Sequence, residues 1–166
     1  MGTQTIKKIS ELRAVELLSR AAIFKSLTSE DKRRFAVTPN LFQHAKAGSN
    51  VIEQGDTDAC IYIVMAGAAK IIKDDVHVAD IEAGQFVGEV AFITGEPRTA
   101  TVQAESDMIL LRITTGNFAN IPIRAREIMK DKIIGGLEQR IADMNEIIKK
   151  YRAQENQKET TEQPTE

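Results

Sequence analysis

The sequence is poor in the residues from which most catalytic and metal sites are built. Its single cysteine, Cys60, cannot form a disulfide within the chain, and its place before the apolar run Ile61–Met65 predicts a buried, unreactive thiol. The two histidines, His44 and His77, are expected to be surface residues or to have hydrogen-bond partners. No Ser/His/Asp or Cys/His set and no metal-ligand spacing is present. The sequence therefore predicts no enzyme, no cofactor and no metal site.

Long apolar runs and an excess of one charge are also missing. No stretch approaches the roughly 18 consecutive apolar residues of a membrane-spanning helix, and residues 1–8 lack the apolar core of a signal peptide. With 22 basic and 24 acidic residues the net charge is −2, which gives no electrostatic reason to expect nucleic acid or an anionic membrane as a partner. We therefore expect a cytoplasmic protein.

Length and composition divide the chain into four segments. At 166 residues it fits one domain with an appended helix. We expect a flexible N-terminus over residues 1–8, a globular part over 9–121 and a long helix over 122–151. Residues 152–166 show no apolar periodicity, so this tail is expected to be disordered.

Residues 9–45 are expected to be helical. An apolar stripe with approximate helical spacing runs through Leu12, Val15, Leu17, Leu18 and Ala22. Thr28 or Ser29 can cap a second helix over residues 30–37, which Pro39 helps to end.

Residues 46–113 change to short β-rich runs separated by glycines at positions 48, 55, 67 and 84. Asp74 and Asp75 form a predicted tight turn between two of the runs. Short strands with turn signals about every ten residues indicate a sandwich, a barrel or a jelly roll. A predicted helical insertion at residues 89–93 interrupts them. The predicted strands are Ile61–Met65, Ala68–Lys73, Val76–Ile81, Thr99–Ala104 and Met108–Ile113.

The last part of the chain returns to helix. Thr115 is expected to cap a short turn through Phe118, and Pro122 suits the first position of a longer helix. The apolar residues of that helix are spaced 3, 4, 3, 4, 3, which is a heptad seam typical of a contact between two protomers; packing on its own domain is the alternative. The seam consists of Ile134, Leu137, Ile141, Met144, Ile148 and Tyr151. The first five residues of the seam are the expected homodimer contact.

The segment Phe86–Val102 carries the strongest chemical signal. Arg98 provides a planar fork that matches two phosphate oxygens, and the start of the helix at Glu89 provides backbone N–H donors. Gly88 allows close approach of the backbone, and the Glu89 carboxylate can accept from a sugar hydroxyl. This set suits a phosphate next to a sugar. Taken singly, Glu89 is an ordinary surface carboxylate, and Arg98 pairs with a nearby acid such as Glu96.

The pattern Phe-x-Gly-Glu-x-Ala-x(6)-Arg-Thr-Ala-Thr-Val resembles the phosphate-binding cassette of the cyclic nucleotide-binding domain family. The similarity covers nearly all of residues 20–145 and includes Gly48 and the turn Gln54-Gly55-Asp56. The resemblance implies an α+β fold, a β jelly roll with N-terminal helices and a long C-terminal helix. It also implies that Gly88 and Glu89 hold the ribose and phosphate side and that Arg98 neutralises the cyclic phosphate. The implied ligand-binding residues are Gly88, Glu89, Val90, Ala91, Arg98, Thr99 and Ala100.

Thr99 bears on which nucleotide is bound. In the family, threonine after the arginine is typical of cyclic-GMP-dependent kinases, whereas alanine is usual in cyclic-AMP-dependent ones. Cyclic AMP is nevertheless favoured, because it is the commoner ligand of bacterial members that this chain resembles, and cyclic GMP is the alternative. Ile133, Ile134 and Leu137 are candidate apolar caps for the base. The neighbouring Gly135-Gly136 pair costs helix stability, which suggests either close approach or a hinge.

The expected function is a stand-alone receptor module that transmits binding through its C-terminal helix to a dimer interface or a downstream protein. No helix-turn-helix fits after Tyr151, so direct DNA reading is not expected. A structural protein with a degenerate cassette, working through its coiled coil, is the alternative. The intact Gly88, Glu89 and Arg98 favour the receptor.

Overall fold

The structure is a computed structural model that describes residues 2–6 and 9–161. The chain separates into two compact units, residues 1–128 and residues 129–166. The first contains all the described strands and the beginning of the last helix, and the described part of the second is the remainder of that helix. Five α-helices are present in the described residues: α1 Glu11–Arg20, α2 Ser29–Ala36, α3 Glu89–Thr94, α4 Thr115–Phe118 and α5 Ile123–Thr161.

Nine strands in the described part of the first unit form two antiparallel sheets. One sheet has the order β1-β2-β9-β4-β7 and the other the order β3-β8-β5-β6. This arrangement of two sheets flanked by helices confirms the expected α+β jelly-roll class. The strands are β1 Gln4–Thr5, β2 Phe42–Ala45, β3 Asn50–Ile52, β4 Cys60–Ala66, β5 Ala69–Lys73, β6 Val76–Ile81, β7 Phe86–Val87, β8 Thr101–Ala104 and β9 Met108–Thr114.

The core lies between the sheets and is built from both. Alternate residues of β4, Cys60, Tyr62 and Val64, join buried side chains of β8 and β9 in one cluster. The intervening Ile61 and Ile63 are also fully buried, so β4 is covered on both faces. That double burial explains why this stretch is continuously apolar instead of alternating.

The N-terminal helices form for the local reasons that the sequence suggests. Thr28 is the N-cap of α2: its hydroxyl accepts from the Asp31 N–H at 3.1 Å, while its own N–H donates to the Asp31 carboxylate at 3.3 Å. Phe24 and Phe35 pack edge to face with ring centroids 5.2 Å apart.

The secondary structure of two short segments differs from the prediction. Residues 42–45, predicted to be helical, form β2, because Phe42 pairs with Leu111 of β9 and pairing partners distant in sequence override weak local signals. Residues 4 and 5, expected to be flexible, form β1 against β2. β3 and β7 are also strands that the sequence pattern did not indicate. Met1, Lys7 and Lys8 lie outside the described residues.

The C-terminal boundaries also differ from expectation. Thr114, one residue earlier than predicted, caps α4 through a reciprocal pair of bonds with Asn117. Pro122 lies just before α5, and its carbonyl accepts from Arg126 N–H. Helix α5 continues to Thr161, so residues 152–161, expected to be disordered, are helical. Half of these residues are Lys, Glu or Gln, which are good helix formers. Residues 162–166 lie outside the described part.

Within the described residues, no helix is long and apolar enough to cross a membrane. The length of α5 does not make it a candidate, because charged residues recur along it.

Candidate functional site

Gly88 joins strand β7 to helix α3 and fixes the geometry of the predicted cassette. Strand β7 pairs with β4, Val87 opposite Tyr62, which brings Gly88 beside the start of β4. Gly88 has φ +84° and serves as the N-cap of α3. A Cβ at this position would overlap Arg98 Nη1 and would lie 3.0 Å from the Cys60 carbonyl oxygen. Glycine is therefore required both by the left-handed backbone and by the approach of the arginine.

Arg98 is the centre of the site, and its side chain is only 2% exposed. Its Nε donates to Asp58 Oδ1 at 2.9 Å and its Nη1 to the Gly88 carbonyl at 2.9 Å. Its Nη2 donates to the Cys60 carbonyl at 2.7 Å and to Cys60 Sγ at 3.2 Å. These bonds involve all three nitrogens of the guanidinium. The arginine thus joins the cassette to the beginning of β4.

The backbone of Arg98 is fixed as firmly as its side chain. Its N–H donates to the Asp56 carbonyl at 2.7 Å, and its carbonyl accepts from the Gly55 N–H at 2.8 Å. The turn at Gln54-Gly55-Asp56 therefore holds the loop that carries Arg98. This turn is one of the segments that carry the family resemblance, and in the structure it holds the cassette in place.

Asp58 is the anionic partner of Arg98, rather than the neighbouring Glu96. Burial raises the pKa of the Asp58 carboxyl, but hydrogen bonds from Arg98 and Cys60, with the charges of Arg98 and Arg112, outweigh it and hold the pKa below its ordinary value. Burial lowers the pKa of Arg98, and the bond to Asp58 more than restores it. The side chain of Asp58 is 44% exposed, so the pair is open to solvent on one side only.

The Cys60 thiol is buried, as predicted, but it is part of the site. Sγ donates to Asp58 Oδ2 at 2.9 Å and accepts from Arg98. Burial and the neighbouring Asp58 carboxylate raise the pKa of the thiol, which keeps it protonated and unreactive. The thiol, the carboxylate and the guanidinium form a closed ring of hydrogen bonds.

The other predicted site residues lie close to Arg98 in the chain but differ in exposure. Glu89, the first residue of α3, is 5% exposed, and Ala91 is also buried. Val90 and Ala100 are half-buried, whereas Thr99 is exposed in the bend before β8. The structure therefore brings Gly88 and Arg98 into direct contact and places Glu89 at the same corner of the fold.

Among the candidate base caps, Ile133 is buried, Leu137 is half-buried and Ile134 is exposed. A Cβ on Gly135 or Gly136 would meet no described atom within 4 Å.

The sequence did not indicate that Asp58 and Cys60 belong to this site. They lie 40 and 38 residues from Arg98 in sequence, and Glu96 was the nearer acid. One signal in the sequence could have indicated Asp58, which lies between the Gln54-Gly55-Asp56 turn and an apolar strand. A carboxylate at the start of a buried strand usually has a cationic partner.

The two ends of α3 give a matched test of this geometry. We expect Gly88→Ala to lower the free energy of unfolding by at least about 2 kcal/mol more than Gly95→Ala, because only the former displaces Arg98 and weakens a charged hydrogen bond. Gly95 also has positive φ, +71°, but a Cβ there would meet nothing within 4 Å. Urea unfolding of both variants measures the difference, and equal losses would contradict the assigned role of Gly88.

Comparison with known proteins gives this geometry a family context. The sequence model described as "cyclic nucleotide-binding domain" matches residues 42–123. The chain is 34% identical over 87 residues to human patatin-like phospholipase domain-containing protein 6, covering 49% of this chain and 6% of that protein. It is 29% identical over 127 residues to the Drosophila melanogaster cAMP-dependent protein kinase type II regulatory subunit, covering 75% of this chain and 33% of the relative. The chain thus spans a third or less of the length of these relatives.

A solved structure shows the same fold. The crystal structure of a cyclic nucleotide-binding domain from Methylobacillus flagellatus superposes with a TM-score of 0.65 at 19% identity, covering 84% of this chain and 83% of that one. At this identity the likeness supports the fold, and the sequence model supports the family. Through residues 42–123, the chain belongs to the cyclic nucleotide-binding domain family.

Proposed function

We propose that this chain is a receptor module for a cyclic mononucleotide, with cyclic AMP as the favoured ligand. The observation that carries the proposal is the buried Arg98 guanidinium, held against the Gly88 carbonyl at the start of α3. A buried guanidinium needs strong acceptors, and a phosphate offers two of them in the geometry of its fork.

Ligand binding would be an exchange of acceptors at Arg98. In the structure its acceptors are Asp58, the Gly88 carbonyl and Cys60. A cyclic phosphate would take over part of this set, and the half-exposed Asp58 is the acceptor that can move into solvent. The backbone N–H groups at the start of α3 have no acceptor within the helix and would face the same phosphate, with Glu89 accepting from the ribose hydroxyl.

The choice of base would depend on Thr99. Its exposed position after Arg98 allows its hydroxyl to serve a purine on the outer side of the cassette. Cyclic GMP is therefore the second candidate ligand. The relatives include a cAMP-dependent protein kinase regulatory subunit and a cGMP-dependent protein kinase, so they support a cyclic nucleotide of either kind.

We further propose that the signal leaves through α5 and that α5 mediates a homodimer. The predicted seam is largely exposed in the single chain: Ile134, Ile141 and Met144 are 54%, 61% and 61% exposed, and Leu137 is half-buried. An apolar row of this length on one helix face is typical of an interface. A non-binding interaction protein would use the same seam, so ligand binding decides between the two functions.

Calorimetric titration with cyclic AMP and cyclic GMP tests the receptor directly. We expect the wild type to bind, and Arg98→Ala to lose about 2–5 kcal/mol of binding free energy, because the phosphate loses its charged partner. Arg98→Lys should give an intermediate loss, since lysine keeps the charge but not the fork.

Arg34→Ala is the matched control, because Arg34 is exposed on α2 and pairs there with Glu30. Thermal unfolding of each variant establishes that it is folded. If the wild type binds neither nucleotide at millimolar concentration, the receptor proposal is wrong and the interaction protein is favoured.

Asp58→Asn tests the exchange of acceptors. We expect it to destabilise the ligand-free protein by about 1–2 kcal/mol at neutral pH, because Arg98 loses its anionic partner while a half-exposed pair contributes less than a buried one. A nucleotide should then raise the melting temperature of the variant more than that of the wild type. Since the pKa of Asp58 is lowered on folding, its contribution is present above the ordinary carboxyl pKa and is lost as the pH falls through the folded value. A smaller ligand-induced shift in the variant would mean that Asp58 supports binding instead of competing with it.

The dimer is tested by a pair of neighbouring substitutions on α5. We expect Ile141→Lys to convert the protein to a monomer in sedimentation velocity, because it places a charge in the apolar seam. Ala142→Lys introduces the same side chain at the next position, which is also exposed but lies outside the seam, and should leave the dimer intact. A wild type that remains monomeric at high concentration, with and without nucleotide, would refute the homodimer.

A further inference from the structure

The side chain of Gln54 joins the turn beneath Arg98 to the tip of a distant hairpin. Gln54 Nε2 donates to Asp74 Oδ1 at 2.7 Å, and its Oε1 accepts from the Asp74 backbone N–H at 3.0 Å. The amide thus makes a two-point contact with a single residue, 20 positions along the chain. Asp74 lies between β5 and β6, on the exposed end of the second sheet.

The hairpin tip has a geometry that needs such a partner. Asp74 and Asp75 have φ values of +50° and +64°, the pair of left-handed residues found in tight two-residue hairpin turns. Every backbone N–H requires an acceptor or water, and Gln54 supplies one to Asp74. The contact is specific, because it matches both a donor and an acceptor of the amide.

The backbone of Gln54 belongs to the turn that holds Arg98. Its backbone N–H donates to Thr101 Oγ1 at 3.0 Å. The next two residues, Gly55 and Asp56, make the two backbone hydrogen bonds that hold Arg98. A displacement of this turn therefore moves the backbone of Arg98, and with it the guanidinium that faces Asp58.

We propose that Gln54 is a positioning residue for Arg98. Gln54 thereby couples the exposed tip of the β5–β6 hairpin to the nucleotide site. The inference rests on the proposed function and deepens it. A contact made at the hairpin tip, outside the pocket, would then change the affinity for the ligand. The coupling passes through two sets of hydrogen bonds that the backbone joins: Asp74 with the Gln54 side chain, and the Gly55–Asp56 turn with the backbone of Arg98.

A reciprocal substitution tests the contact. Gln54→Glu replaces the donating amide with a carboxylate that repels Asp74, and we expect it to weaken cyclic AMP binding roughly three- to tenfold. Adding Asp74→Asn supplies a new donor to that carboxylate, and the double variant should recover most of the wild-type affinity. Adding Asp75→Asn instead removes the same charge one residue away and should not restore binding.

Two readouts separate this inference from the receptor proposal. Calorimetry gives the nucleotide affinity, and the Arg98 Nε–H resonance in ¹⁵N-correlated spectra reports the position of the guanidinium without any ligand. We expect this resonance to shift in Gln54→Glu and to return in the variant that also carries Asp74→Asn.

If the wild type binds no nucleotide but the resonance follows this pattern, the receptor proposal fails while the positioning of Arg98 by Gln54 stands. If the wild type binds and Gln54→Glu leaves both affinity and resonance unchanged, the positioning role is wrong and the receptor is unaffected. Equal recovery with Asp75→Asn would also overturn it, because a general charge effect would then explain the result.

Discussion

A buried guanidinium must keep its acceptors, and this requirement organises the cassette. Arg98 is bonded to Asp58 and to the carbonyls of Cys60 and Gly88. These groups come from the turn before β4, the start of β4 and the start of α3. Gly88 has to be glycine because Arg98 occupies the space of a side chain. The cost of burying the charge is offset only while these segments remain together, so the arginine contributes to the stability of the cassette.

Under the proposed function, the same arrangement would let the protein respond to a ligand. Because all three guanidinium nitrogens already donate hydrogen bonds, a phosphate would gain affinity only by the difference between its own contacts and those it replaces. Asp58 is the acceptor with an exposed side, and it lies just before the strand that carries Cys60 and Tyr62. A change of partner at Arg98 would therefore alter the contacts of β4 and of α3 together. A two-state response requires contacts that differ in this way between the ligand-free and ligand-bound forms.

The sequence predicted the fold well where local pattern and family resemblance agree, and less well where distant pairing decides. The longer strands between Cys60 and Thr114 and helix α3 lie close to their expected bounds, because glycines and alternation mark them. β2 was missed because its register comes from β9, and the partner of Arg98 was missed because Asp58 is 40 residues away. Helix α5 extends past Tyr151 because polar residues with high helix propensity need no apolar periodicity. The seven candidate ligand residues stay a prediction, and the structure explains only why glycine is required at position 88 beside Arg98.

A crystal structure of the complex with cyclic AMP is the most direct test of this account. We predict phosphate oxygens within hydrogen-bond distance of the Arg98 guanidinium, the ribose hydroxyl on Glu89, and an Arg98–Asp58 contact that is longer than the 2.9 Å of the free protein. A nucleotide bound elsewhere on the chain, or a complex in which Arg98 keeps all its present partners and touches no phosphate oxygen, would contradict the exchange of acceptors on which the proposed function depends.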